Sequence, residues 1–182
     1  MDRGRELPKR KHPRLNYFDY SMSGAYFVTI CTQNRRCTLS RVVGRGLAPA
    51  DVVGRGLAPA EESVVEYTTF GEIARKQLLL LEERYPFLSV DQYVIMPNHI
   101  HVILLLGETT AGASPRPTVM DIVCAYKSLT MLECKKNGLT GKLFQTSFYD
   151  HIIRGRGDYE KIAKYIHENP ARWHYDELYS KE

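Results

Sequence analysis

No apolar run in this sequence is long enough to span a bilayer. The longest, Leu78–Leu81 and Val102–Leu106, fall far short of the roughly 20 residues a membrane helix needs. No N-terminal stretch joins a basic start, an apolar stretch and a small-residue cleavage site, so the expectation is a soluble cytoplasmic protein. Cysteine is scarce and scattered. Cys31, Cys37, Cys124 and Cys134 show no CxxC spacing, which argues against a zinc knuckle or a disulfide frame and for reduced packing residues. Net charge is small at +4, and it is unevenly placed. Residues 1–14 carry six Lys or Arg against Asp2 and Glu6, which leaves 19 basic and 19 acidic residues in a neutral body. A basic arm of this kind attracts phosphate without reading bases, although a solvated tail has the same composition.

What is present suits one α+β domain over residues 15–182, preceded by the basic arm at 1–14. The 43% hydrophobic content and 10% aromatics support a packed core rather than a disordered chain. Residues 24–32 are aromatic and β-branched and read as a strand. A helix is expected over 71–84, ended by Pro86. Two strands, 90–96 and 99–106, are joined by the Pro97–Asn98 turn signal. Thr118 is positioned to cap a helix over 119–136, and Leu143–Tyr149 reads as a further strand. Asp158 is placed to cap a last helix over 159–169, stopped by Pro170. This order predicts a ferredoxin-like, split βαβ antiparallel sheet, with helices on one face, the other face free for a substrate and a tyrosine-bearing C-terminal helix.

Residues 42–50 recur word for word as 52–60, separated by Asp51. Two copies are too few for a solenoid, and Gly, Pro and Ala dominate, so residues 41–62 read as an inserted surface loop. The stretch Gly44–Ala50 can be encoded by self-complementary GC-rich codons, which predicts an origin in palindromic DNA that the gene sequence tests.

Two features carry candidate chemistry. His99 and His101 are two apart on a strand, so both imidazoles project from one face and form half of a divalent metal site. The competing explanation is a pair of hydrogen-bonded histidines. No Asp, Glu or Cys lies in the same stretch, so any third ligand must come from elsewhere in the chain. Tyr165 and Asn169 are four apart and share a face of the last helix, where a phenol and an amide oxygen can approach one phosphate. A packing tyrosine beside Ile162 and Ile166, with Asn169 merely ending the helix, fits the same spacing.

Five ordered blocks between Arg14 and Tyr175 resemble the REP-associated tyrosine transposases, relatives of the single-strand insertion-sequence transposases. They are Tyr20–Asn34, Val94–His101, Tyr126–Ser128, Phe148–Arg154, and Tyr165–Pro170 followed by Arg172–Trp173. The resemblance implies an HUH endonuclease in which His99 and His101 bind Mg²⁺ or Mn²⁺, Tyr165 is the nucleophile and Asn169 is the third ligand. The insertion-sequence relatives carry glutamine at that last position. It further implies cleavage and rejoining of single-stranded DNA at REP-type hairpins through a 5′-phosphotyrosine, in a bacterial, nucleoid-associated protein. Lys9, Arg10, Lys11 and Arg14 of the arm, with Lys127 and Arg154, are candidate phosphate contacts; the alternative for each is a surface cation, which charge alone favours for the arm and for Arg154. A monomer acting in cis is expected ahead of a homodimer. Two other functions fit the residues alone: a non-catalytic nucleic-acid-binding sheet and a water-using metal phosphodiesterase.

Overall fold

The computed structural model describes residues 19–43, 64–108 and 116–180. Its elements are β1 (Gly24–Cys31), β2 (Ser40–Val43), β3 (Val64–Tyr67), α1 (Thr69–Arg84), β4 (Leu88–Ile95), β5 (His99–Leu106), α2 (Val119–Lys136), β6 (Tyr149–Ile153) and α3 (Arg156–Glu168). Four strands form one antiparallel sheet in the order β4-β5-β1-β6. The connections through α1 and α2 each skip one strand, which is the split βαβ, ferredoxin-like arrangement.

β5 lies between β4 and β1, and all but one of its eight residues are buried. Such a strand contributes apolar side chains to both faces, which explains its near-continuous hydrophobic sequence. On one face Val102 and Leu104 pack with Val28 and Ile30 of β1, Leu78 and Leu81 of α1, and Ile122 and Tyr126 of α2. On the other, Ile103 packs with Phe27, Met96, Ile166 of α3 and Trp173. The second face is therefore partly covered by α3 and the segment after it, not free as the sequence suggested.

Local chemistry sets the helix starts. Thr68 Oγ1 accepts the Gly71 N–H at α1, and Thr118 with Asp121 forms a reciprocal capping box at α2. α3 starts earlier than expected, behind Gly155 at φ +83°, a left-handed conformation that favours glycine. Asp158 does not cap it. Its carboxylate accepts the Arg154 backbone N–H and meets His151 Nε2 at 2.9 Å.

Two other expectations are corrected. The last strand is Tyr149–Ile153, whereas Leu143, Phe144 and Phe148 send their side chains to the core from a loop. The insert does not begin as a loop, because Arg41–Val43 belong to β2, which pairs with β3. Residues 44–63 of the repeat segment, and Lys9, Arg10, Lys11 and Arg14 of the arm, lie outside the described residues. No helix among the described residues is long and apolar enough to cross a membrane.

Candidate metal centre and tyrosine

The register places Val94, His101, Thr29 and Tyr149 in one row across the sheet, with His99 opposite Cys31 in the adjacent row on the same face. Both imidazoles are buried, at 0% exposure for His99 and 2% for His101, and their ring centroids lie 4.4 Å apart. His101 stacks on Phe27 at 5.3 Å, and Trp173 lies 5.9 Å from His99.

Hydrogen bonds fix how the rings face. Asn98 Nδ2 donates to the Leu178 carbonyl at 2.8 Å and to Ser180 Oγ at 2.9 Å, so the atom it turns to His99 is Oδ1, 2.8 Å from Nδ1. An amide oxygen only accepts, so His99 Nδ1 carries the proton and Nε2 presents a lone pair. His101 Nδ1 lies 2.9 Å from Thr29 Oγ1, which likewise leaves Nε2 to face α3. Burial pulls the pKa of His99 down to about 4 and holds that of His101 well below the ordinary imidazole value, so both rings are neutral at pH 7.

α3 brings Tyr165 over this pair. Its hydroxyl lies 3.3 Å from His101 Nε2 and 3.2 Å from Asp176 Oδ2, and 44% of the residue remains exposed. Burial, then the Asp176 carboxylate, push the phenol up to about 12. Asn169, one turn later, is 2% exposed, lies against His99, and donates from Nδ2 to Asp176 Oδ2 at 2.7 Å. Tyr165, His99, His101 and Asn169 thus converge within one chain.

Asp176 was not anticipated. It follows a 3-10 turn at Trp173–Tyr175, and its ligand atom lies within 4.8 Å of those of His99 and His101. The one available hint is the absence of an acidic residue beside the histidines, which requires any anionic ligand to come from another segment.

The donor set suits a divalent cation. His99 Nε2 and Asn169 Oδ1 are buried acceptors with no hydrogen-bond partner, a costly state that a cation between them relieves. Imidazole and carbonyl or carboxylate oxygen together fit Mn²⁺ well and Mg²⁺ acceptably.

A groove of about 1150 Å³ opens beside Tyr165, lined by Phe27, Thr29, His101, Tyr149 and Tyr175 among others. Lys161, Lys164 and Arg172 also line it. Lys127 does not reach it: its ammonium donates to the Gln145 and Thr146 carbonyls at 2.6 and 2.8 Å and braces the loop along one wall. Arg154 is exposed just past β6 and is not part of the groove lining.

No family model matches the chain. It is 27% identical to an uncharacterised protein of Haemophilus influenzae over 93% of each chain. It is 23% identical to a REP-associated tyrosine transposase of Escherichia coli over 84% of this chain and 70% of that one. A solved structure of a REP-associated tyrosine transposase bound to a REP hairpin superposes with a TM-score of 0.55 at 21% identity, covering 87% of this chain and 74% of that one. The chain is therefore like the REP-associated tyrosine transposases in sequence and shares their fold.

Proposed function

We propose that this transposase-like protein cuts and rejoins single-stranded DNA beside REP-type hairpins, with Tyr165 as the nucleophile and His99, His101 and Asn169 as ligands of a divalent metal. The observation that carries the reading is the position of Tyr165 Oη, 3.3 Å from the inward nitrogen of His101, on a helix that also delivers the orphaned Asn169 oxygen.

A bound divalent ion supplies Lewis-acid polarisation of the scissile phosphate and offsets charge on the departing 3′ oxygen. The chain's own residues do the rest. Phe27 packs on His101 and Trp173 lies beside His99, and together they limit water around the imidazoles. Thr29 and Asn98 hold the two rings with Nε2 inward. Tyr165 Oη attacks phosphorus, the P–O3′ bond breaks, the phenol proton passes to water at the open side and the 3′ oxygen takes one up. The products are a 5′-phosphotyrosine and a free 3′-OH. Because a phosphodiester is exchanged for another of similar energy, a 3′-OH in the same groove reverses the step without ATP.

Single-stranded DNA suits the groove, because unpaired bases can stack on exposed rings such as Tyr149 and Tyr175 while Lys161 and Lys164 meet phosphates. A REP hairpin is the DNA in the similar solved structure, and a hairpin with single-stranded flanks presents this kind of strand. The test incubates the protein and Mn²⁺ with hairpins whose flanks are randomised, then resolves the mixture under denaturing conditions. A covalent protein–DNA adduct is expected, with the nucleotide on the peptide containing Tyr165, and it disappears with EDTA and in Tyr165→Phe. An undiminished adduct in Tyr165→Phe refutes the assignment, and tight binding without an adduct points to a binding module.

A further inference from the structure

We infer that Asp176, in the segment after α3, is the anionic ligand of the divalent ion, coordinating beside His99, His101 and Asn169. The inference rests on the metal reading above and adds the residue that supplies charge to it.

The ligand atoms of His99, His101 and Asp176 lie within 4.8 Å of one another, close enough for one ion to reach all three. A second observation points to a ligand there: His99 Nε2 and, beyond those three residues, Asn169 Oδ1 are buried without a hydrogen-bond partner. Without Asp176 the set would be two neutral imidazoles and a neutral amide. A doubly charged ion in such a buried site would keep its whole charge away from water, which is unfavourable without a compensating anion. A carboxylate also supplies the hard oxygen that Mg²⁺ and Mn²⁺ prefer over nitrogen.

Asp176 already gathers donors at this point of the site. Its Oδ2 accepts from Tyr165 Oη at 3.2 Å and from Asn169 Nδ2 at 2.7 Å, two donors gathered on one carboxylate oxygen. The second contact also sets the flip of the Asn169 amide, since the donating NH₂ must face Asp176 and the carbonyl oxygen is left for the ion. An ion held by Asp176 Oδ2 would compete with the Tyr165 hydroxyl for that oxygen.

The carboxylate is held in place before any ion arrives. Asp176 Oδ1 accepts the Leu178 N–H at 2.6 Å. The Leu178 carbonyl and Ser180 Oγ accept from Asn98, and Ser180 Oγ donates to the Arg35 carbonyl at 2.8 Å. Asn98 therefore ties the segment bearing Asp176 to the ring of His99, its neighbour in the chain, and both ligands are positioned by one amide.

The test is Mn²⁺ binding to the DNA-free, full-length protein, followed by electron paramagnetic resonance. Wild type is expected to bind, His101→Ala to lose binding, Asp176→Asn to bind at least about tenfold more weakly at an unchanged melting temperature, and Asp176→Glu to recover part of the loss. If Asp176→Asn binds Mn²⁺ like wild type while His101→Ala does not, the inference is overturned and the metal reading stands. If wild type fails to bind, or His101→Ala binds equally well, both fall. Should Asp176→Asn not fold, carboxyl-¹³C aspartate in the wild-type protein answers the same question. A hyperfine coupling from a carboxylate carbon to Mn²⁺ supports coordination, and its absence overturns it.

Discussion

His99 and His101 sit in a part of the molecule that water scarcely reaches, and the cost of charging an imidazole there appears as a depressed pKa. The consequence for stability has a definite sign. Between the ordinary value of 6.5 and the folded value of about 4 for His99, the unfolded chain binds more protons than the folded one. Stability is then fully present above pH 6.5 and is lost as the pH falls toward 4. Thermal melts of the metal-free protein in EDTA should show this loss, with a shallower slope in His99→Asn. A melting temperature that rises on acidification would mean that the folded state favours the charged rings. At this scale the sequence was partly readable. An HxH pair on a strand must share a face, and a Tyr–Asn pair four apart on a helix must share another, so spacing alone marks the two halves of the site. Asp176 was invisible because it stands just after a 3-10 turn, outside any regular element, where no periodicity marks which way a side chain points.

Among the elements, α1 shows how closely the layers are pressed together. Gly71 in its first turn approaches the Leu39 backbone so closely that an added Cβ would overlap the Leu39 carbonyl oxygen. The same carbonyl accepts the Thr68 N–H at 2.9 Å, so it is not free to move aside. Gly71→Ala should therefore destabilise the protein by about 1–3 kcal/mol or more in urea unfolding. An unchanged midpoint would show that the turn at Leu39 is looser than described. The legible elements were β1, β4 and β5 by aromatic and β-branched runs, α1 by its stop at Pro86 and α2 by its cap at Thr118. β6 was displaced because Leu143, Phe144 and Phe148 look like strand residues although they are anchors of a loop, while the strand itself carries the polar Asp150 and His151. β2 and β3 were missed since each is four residues long and borders a Gly-, Pro- and Ala-rich repeat that dominates the local composition.

Taken whole, the molecule builds its candidate site from three separated parts of one chain. The central strand β5 supplies two nitrogens, α3 supplies a phenol and an amide, and the following segment supplies a carboxylate. All of them meet on the sheet face that α1 and α2 leave uncovered. The fold makes this possible because β5 is flanked on both sides and rigid, while α3 crosses that face with Ile166 packed down and Tyr165 turned toward the groove. Within one chain Tyr165 already lies against His101, so cleavage is expected in cis. The decisive measurement mixes Tyr165→Phe protein, which keeps the histidines, with His101→Ala protein, which keeps the tyrosine. Both are incubated with Mn²⁺ and hairpin DNA beside a wild-type reaction that forms the adduct. No adduct is expected from the mixture, as from either variant alone. An adduct recovered on mixing would show that the tyrosine of one chain works with the histidines of another, and would contradict a site assembled within a single chain.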